Sequence, residues 1–327
     1  MKPVSDGYVP TFAQGYMPQK DATVIYKALS PSVTADEEAL VHILPFLTPA
    51  QLTSIHHYLL NESKPSILIP DLVDKRIKST FRDAIRAVVL GPLEFDVWLL
   101  NRATEGFGTN ELFLSMVLLG RKNGDIEAIR DAYFRKYGKH LIDVIKKELS
   151  GPLEALYMDA LEARRADESV PVSDSQVELD ANELYTAMVG KSEGNKVSEI
   201  LVTRSDAMIR KITSKYDGMS HGKSLEKMIE KKFGGGMKTA LLYILHGANN
   251  RASREAKALE ATMKGMGTKD EELSYRLAIL HWDKDFLKLV INSYKKEFPS
   301  RHSLNARVKG ETSGNYGKFL LALLEIP

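Results

Sequence analysis

The chain has 327 residues, of which 43% are hydrophobic and 27% are charged, and its formal net charge is +2. This composition allows a packed core and excludes disorder as the default state, and the small net charge argues against bulk electrostatic binding to nucleic acid. The lack of cysteine excludes disulfide scaffolds and thiolate metal sites and is compatible with the cytoplasm. No apolar run reaches the roughly 18 residues of a membrane-spanning helix, and the N-terminus lacks the apolar core of a secretion signal.

Helical periodicity dominates the chain after residue 20. Residues 1–20 contain three prolines and several aromatic residues with little periodicity, so we expect an extended N-terminal head. Farther along, apolar residues recur at intervals of three and four. This pattern predicts one helix that starts near Asn123 and another that starts after Gly151-Pro152. Alternation with a period of two is nearly absent, so the sequence predicts an all-α fold.

Two glycine-containing segments are nearly the same, and each is followed by an acidic residue about forty positions later. The first is Thr104-Glu105-Gly106-Phe107-Gly108-Thr109, followed by Glu148, and the second is Met263-Lys264-Gly265-Met266-Gly267-Thr268, followed by Glu311. Glycines let a loop turn with positive φ angles and direct several carbonyl oxygens to one place. Because Ca²⁺ binds about six to eight oxygens in irregular geometry, a glycine loop with a distant carboxylate predicts a calcium site. A glycine loop alone would be explained as a helix C-cap.

The residues around the two acids recur in weaker form, which indicates a repeat protein. The matching anchor positions are Arg76, Glu148, Lys232 and Glu311, so the period is about 70 residues with linkers. A unit of this length has room for about five short helices. The anchors divide the chain into a head at 1–20, units at 21–91, 92–164, 180–250 and 251–327, and a polar, proline-bearing linker at 165–179.

Four such units, with Gly-x-Gly-Thr loops and a later acid before a Ser/Thr-Gly step, resemble the annexin family over about residues 21–326. The resemblance implies an all-α fold of four annexin-type repeats of about five helices each, which form a curved disc. It implies a cytoplasmic protein that is peripheral on membranes when calcium rises and binds acidic phospholipid through Ca²⁺. It also implies a monomer in solution that assembles laterally on membranes, and a head that binds a cytoskeletal or other protein partner, with a disordered tail as the alternative.

The resemblance assigns calcium ligands residue by residue in units two and four. They are the carbonyl oxygens of Thr104, Gly106 and Gly108 with the carboxylate of Glu148, and the carbonyl oxygens of Met263, Gly265 and Gly267 with the carboxylate of Glu311. Gly106 and Glu148 are 42 residues apart, as in the family, whereas Gly265 and Glu311 are 46 residues apart. We expect the additional four residues to lie in loops at 282–285 and 299–302.

Units one and three carry a cation where units two and four carry the acid. Arg76 and Lys232 both remove carboxylate oxygens and repel Ca²⁺, so we expect no calcium site of this type in these units. Direct contact of these cations with lipid headgroups is a separate hypothesis.

The tips of the glycine loops are apolar. Phe107 and Met266 occupy the position that contacts the membrane interface in annexins, and the alternative is that each folds back onto its own repeat.

A second, shallower calcium site beside the first is also implied by the resemblance. It would use the Thr109 carbonyl with Glu111, or the Thr268 carbonyl with Asp270. Acids just after a helix start are also ordinary helix-capping residues, so both readings stay open.

Other classes of function receive less support from the sequence. A helical-repeat scaffold that binds cytoskeleton or acidic lipid without calcium is the alternative, because two of the four anchor positions are basic. An enzyme is not expected, since no serine or cysteine nucleophile motif appears. Gly222-Lys223-Ser224 lacks the four-residue spacing between glycines that a phosphate-binding loop requires.

Overall fold

The structure is a computed structural model that describes residues 4–31, 34–64, 66–106, 108–190, 194–301 and 303–326. Every regular element in these ranges is a helix, which confirms the predicted all-α fold. None of the described helices is both long and apolar enough to cross a bilayer.

The helices of the first two repeats follow one another in sets of five. The first set is α1 (Gln19–Ala28), α2 (Glu37–Ile43), α3 (Pro49–His57), α4 (Ile69–Arg76) and α5 (Ser79–Val89), with a 3-10 turn at Leu44–Phe46 and a π-helical turn at Tyr58–Glu62. The second set is α6 (Gly91–Thr104), α7 (Glu111–Leu118), α8 (Asn123–Tyr137), α9 (Leu141–Glu148) and α10 (Gly151–Leu161). The helix starts expected near Asn123 and after Gly151-Pro152 are thus confirmed.

The third and fourth sets share one continuous helical segment. The third set is α11 (Asp174–Val189), α12 (Gly194–Thr203), α13 (Asp206–Met219), α14 (Leu225–Lys232) and the first half of α15 (Gly235–Thr262). The fourth set is the second half of α15 followed by α16 (Asp270–His281), α17 (Lys284–Glu297), α18 (Leu304–Glu311) and α19 (Gly314–Leu323). Asn250 divides α15, because its φ of −162° and ψ of 97° are not helical. Units three and four were divided between residues 250 and 251 from the repeat spacing, which is next to this break.

The tract at 165–179 is shorter as a linker than the sequence suggested. Helix α11 already begins at Asp174, because Ser173 accepts a hydrogen bond from the Gln176 amide and caps the first turn. Glu168, farther back in the tract, accepts hydrogen bonds from the amides of Asp206 at 2.7 Å and Ala207 at 3.3 Å. The remaining part of the tract is therefore tied to the start of α13.

The described chain forms two compact units, one with residues 4–5 and 96–254 and the other with residues 6–95 and 255–326. In the first unit α10 packs against α12, and α11 packs against α13. In the second unit α16 packs against α5, and α19 packs against α2 and α5. Each unit thus contains one repeat with a glycine loop and one repeat with a basic anchor.

A tyrosine that is buried in repeat 2 and half-buried in repeat 4 joins two helices in the same way in both glycine-loop repeats. The Tyr157 hydroxyl donates to the Glu111 carbonyl at 3.0 Å, and the Tyr316 hydroxyl donates to the Asp270 carbonyl at 3.1 Å. Burial raises the pKa of both hydroxyls, so both stay protonated donors. Each bond connects the helix that follows the acid to the helix that follows the glycine loop.

The described part of the head is held against the protein. The Ser5 amide and hydroxyl donate to the two carboxylate oxygens of Asp125 at 2.6 and 2.7 Å. Tyr8 is buried, and the Ala13 amide donates to the Ser54 hydroxyl at 3.1 Å. These contacts argue against the disordered-tail alternative for residues 4–20.

Candidate calcium sites

All four anchor residues occupy the same structural position. Arg76 ends α4, Glu148 ends α9, Lys232 ends α14 and Glu311 ends α18. The repeat that was inferred from sequence spacing is therefore also a repeat of helix ends.

The glycine loop of repeat 2 connects α6 to α7. Thr104 is the last residue of α6, and the Asn110 carboxamide caps α7 by accepting from the Phe113 amide at 3.1 Å. Between them, Gly106 and Gly108 have φ values of 101° and 89°, a region that strongly favours glycine. No hydrogen bond from a described residue reaches the carbonyl oxygens of Thr104, Gly106 or Gly108. Phe107, the predicted membrane-contact residue at the tip, lies outside the described residues.

Glu148 is the predicted acidic ligand of repeat 2, and its side chain is half-buried. Across the described ranges, no hydrogen bond or ion pair engages its carboxylate. Helix α10 begins three residues later, and its Tyr157 bonds the first residue of α7. The core thus links the helix that follows the acid to the helix that follows the loop, although they are far apart in sequence.

In repeat 4 one guanidinium joins a predicted carbonyl ligand to the predicted carboxylate ligand. Met263 directly follows α15, and the Arg307 guanidinium donates to both the Met263 carbonyl and the Glu311 carboxylate. The Thr268 hydroxyl donates to Glu311 Oε2 at 3.2 Å. The longer sequence spacing of this repeat therefore still places Glu311 beside the glycine loop.

The loop of repeat 4 resembles that of repeat 2 in its backbone. Gly265 and Gly267 have φ values of 107° and 86°, close to those of the matching glycines of repeat 2. Met266, between them, is fully exposed, so it does not fold back onto its own repeat.

Arg307 is the residue that the sequence reasoning missed. It lies one helical turn before Glu311 on α18, and residues four apart on a helix face the same side. The spacing of four residues was therefore the sequence signal for an ion pair between Arg307 and Glu311. The contact with the Met263 carbonyl requires the tertiary fold, because Met263 lies 44 residues earlier in the chain.

In repeat 3 the Lys232 ammonium group is bonded to carbonyl oxygens of the loop. Lys232 Nζ donates to the carbonyl oxygens of Gly190 at 2.5 Å and Met188 at 3.4 Å, and also to that of Ala187. Met188 and Gly190 lie 44 and 42 residues before Lys232, as Thr104 and Gly106 lie before Glu148 in repeat 2. The expected cation at this anchor is thus present and bonded to the loop carbonyls. Residues 191–193 of this loop lie outside the described residues.

The loop of repeat 1 is only partly described. Ser32 and Val33, in the middle of the segment where the glycine loop would be, lie outside the described residues, whereas Arg76 is placed at the end of α4.

The two acids of the possible second calcium sites lie at helix starts. Glu111 is the first residue of α7 and Asp270 is the first residue of α16. Burial raises the pKa of Asp270, and the hydrogen bond with Tyr316 opposes that rise.

Taken as donors, the residues of repeat 2 fit Ca²⁺. Within the described ranges, no three His, Asp or Glu side chains gather as a metal cluster, so the candidate oxygens are backbone carbonyls with a single carboxylate. Hard oxygen donors at a loop without imposed geometry suit Ca²⁺ better than smaller or softer cations.

Comparison with known proteins identifies the family. The sequence model described as Annexin matches residues 95–159, 179–244 and 254–323. Annexin C1 of Cryptococcus neoformans var. grubii is 34% identical over 95% of this chain, which spans 66% of that protein. Rat annexin A5 is 30% identical, with 97% of both chains covered. This chain belongs to the annexin family.

Solved annexin structures have the same fold. The structure of annexin III covers 98% of this chain at 27% identity, with 97% of its own chain aligned and a TM-score of 0.84. A mutant of annexin A8 with an intact N-terminus gives a TM-score of 0.86 at 26% identity, with 96% of both chains covered. Calcium-dependent phospholipid binding is the general property of annexins.

Proposed function

We propose that this annexin binds acidic phospholipid membranes when calcium is present, with the glycine loop of repeat 2 as its principal calcium site. The free Glu148 carboxylate is the main support, because no described residue competes for it. The carbonyl oxygens of Thr104, Gly106 and Gly108 would complete the protein's part of the shell. Calcium supplies a bridge between these oxygens and lipid phosphate, so the affinity depends on both the ion and the membrane.

The ligands of repeat 4, which are Met263, Gly265, Gly267 and Glu311, form a second calcium site in this proposal. Full exposure of Met266 supports a membrane contact at this loop, because an apolar side chain gains free energy when it leaves water for the lipid interface. Phe107 has the same proposed role in repeat 2.

The proposal also covers the localisation, the assembly and the partners of the protein. The protein acts in the cytoplasm as a monomer, becomes peripheral on membranes when calcium rises, and assembles laterally there. No catalytic step and no nucleic acid are part of it. Residues 1–20 would bind a cytoskeletal or other protein partner, and such a partner would have to coexist with the Ser5–Asp125 contact or displace it.

Sedimentation with phosphatidylserine vesicles tests the proposal. We expect the protein to pellet with these vesicles in calcium, to return to the supernatant in excess chelator, and not to pellet with phosphatidylcholine vesicles. Pelleting that persists in chelator would favour the calcium-independent scaffold, which the basic anchors Arg76 and Lys232 suggest. Absence of pelleting in calcium would refute membrane binding.

A further inference from the structure

The Arg307 guanidinium is hydrogen-bonded to two of the proposed oxygen ligands of repeat 4. It donates to the Met263 carbonyl and to Glu311 Oε1, and its Nε lies 3.4 Å from Glu260 Oε2. We propose that Arg307 is an internal competitor of calcium, so that repeat 4 binds calcium only after the guanidinium is displaced. This inference rests on the proposed calcium site of repeat 4. It adds that displacement of the guanidinium raises the calcium concentration that the site requires.

The competitor cannot be removed by deprotonation. An arginine side chain is not deprotonated in proteins. The group is therefore a permanent cation whose hydrogens lie on the oxygens that Ca²⁺ would need. Calcium and the guanidinium cannot share these oxygens, because like charges at such short range repel each other.

The displaced side chain would keep a partner. Glu260 is buried near the end of α15, and it accepts a hydrogen bond from the Tyr294 hydroxyl. The contact of Arg307 Nε with Glu260 is separate from the two contacts at the calcium ligands. The arginine can therefore leave Glu311 and Met263 while its charge stays compensated by Glu260.

Repeat 2 lacks both parts of this arrangement. The residue four positions before Glu148 is Val144, and the residue three positions before Thr104 is Asn101, which match Arg307 and Glu260 of repeat 4. Asn101 accepts a hydrogen bond from the Tyr133 hydroxyl at 3.2 Å, as Glu260 does from Tyr294. The arginine and its buried carboxylate thus occur together in repeat 4 and are both replaced by uncharged residues in repeat 2. The two sites are expected to fill at different calcium concentrations.

Substitution of Arg307 by glutamine tests the competition. Crystals of the wild type and of Arg307→Gln would be soaked in a series of calcium concentrations without lipid, and the ion at Met263 and Glu311 would be refined. If the guanidinium leaves these oxygens about one tenth of the time, its removal lowers the calcium concentration for half occupancy about tenfold. Equal occupancy in the two proteins at every concentration, including no ion in either, would overturn the proposal.

Arg301→Gln is the matched control. Arg301 Nε lies 3.8 Å from Glu260 Oε1, so this variant removes the same charge beside the same buried carboxylate. Among the described residues, Arg301 makes no hydrogen bond or ion pair with Glu311 or Met263, and calcium occupancy should stay at the wild-type value. A gain as large as that of Arg307→Gln would show a general charge effect and overturn the proposal. Arg307→Met replaces the glutamine variant if thermal unfolding shows that the latter is not folded.

Vesicle binding separates this inference from the proposed function. In a Glu148→Gln background, Arg307→Gln should lower the calcium concentration for half-maximal sedimentation about tenfold. If no variant binds vesicles, membrane binding is refuted, and the lipid-free crystals still decide whether Arg307 competes with calcium.

Discussion

Lys232 Nζ lies 2.5 Å from the carbonyl oxygen of Gly190, at the position where repeats 2 and 4 present an acid to the loop. The lysine is the last residue of α14, and its ammonium group also donates to the carbonyls of Ala187 and Met188. A single side chain thus supplies the positive charge that the loop carbonyls would otherwise receive from a bound cation. Where repeats 2 and 4 carry an acid, repeat 3 therefore carries a lysine whose ammonium group is bonded to the loop carbonyls.

Lys232→Met should destabilise the fold, because it leaves the end of α11 without its hydrogen-bond donor. Hydrogen bonds to charged groups contribute about 1.5–3 kcal/mol, and partial exposure of this lysine lowers the expected loss to about 1–2 kcal/mol. Chemical denaturation would measure this loss. Lys231→Met, at the exposed neighbouring position, is the control and should change the free energy of unfolding by less than about 0.5 kcal/mol. Equal losses of stability in both variants would contradict a stabilising role for the contacts of Lys232 with the loop carbonyls.

Glu148→Gln should impair calcium-driven vesicle binding more than Glu311→Gln does. Glu148 has no competing partner among the described residues, whereas Glu311 is engaged by Arg307 and Thr268. We expect the first variant to raise the calcium concentration for half-maximal sedimentation about tenfold, equivalent to about 1.4 kcal/mol, and the second to raise it less.

Asp143→Asn provides the control for the Glu148 variant. Asp143 is exposed on the same helix, α9, and its loss removes the same charge. It should leave the calcium requirement unchanged. If the Glu148→Gln protein is folded and keeps the wild-type calcium requirement, Glu148 is not the calcium ligand of repeat 2.

Met266→Glu should weaken vesicle binding at saturating calcium. The side chain is fully exposed at the loop tip, and its transfer out of water would contribute about 1–2 kcal/mol, or roughly a five- to thirtyfold change in affinity. Met17→Glu changes another largely exposed methionine, one in the head, and should have little effect. If both substitutions weaken binding equally, the effect is one of net charge and Met266 does not contact the membrane.

His281 should make the stability of the fold depend on pH. Burial, and then the positive charge of Lys284, lower the pKa of the His281 imidazole to about 4, whereas an unfolded histidine has a pKa of about 6.5. The unfolded state therefore binds more protons between these values, and stability is complete above about pH 6.5 and falls as the pH drops to about 4. This histidine accounts for a loss of about 3 kcal/mol over that window.

The test compares wild type with His281→Gln in denaturant titrations at pH values of about 7, 5.5 and 4.5, which span the window between the two pKa values. Because carboxylates titrate in the same range, the measured quantity is the difference in free energy of unfolding between the two proteins. That difference should shrink as the pH falls. A constant difference for His281→Gln would contradict the lowered pKa of this imidazole.

Much of the fold could be predicted because helix ends leave local signals. The proline after Gly151 and the serine before Asp174 mark helix starts, although the second lies in the tract that was predicted to be a linker. The break at Asn250 is marked by the asparagine itself, whose carboxamide oxygen accepts a hydrogen bond from the Ser253 amide at 2.9 Å and caps the second half of α15. The repeat spacing predicts a boundary between units at the same place, from information of longer range than this local motif.

The candidate site was predictable as a set of positions but not as a set of contacts. The family resemblance predicted Gly265 and Glu311 as ligands of repeat 4, and the structure places the Glu311 carboxylate beside Thr268 of this loop. The sequence did not reveal that Arg307 joins Glu311 to Met263, because hydrogen bonds between distant segments depend on packing. The sequence spacing of the ligands would be the same whether or not Arg307 donated to the oxygens of Met263 and Glu311.

The bond from the Tyr157 hydroxyl to the Glu111 carbonyl has a thermodynamic consequence. It belongs to the unit of residues 96–254, so the helices that carry the proposed ligands of repeat 2 are joined in this way only while that unit is folded. A ligand that binds the folded state alone raises its melting temperature as the ligand concentration exceeds the dissociation constant. The unit of residues 6–95 and 255–326 gains less, since Arg307 already occupies its ligands. Rising calcium should therefore make the two halves of this annexin unequal in heat resistance.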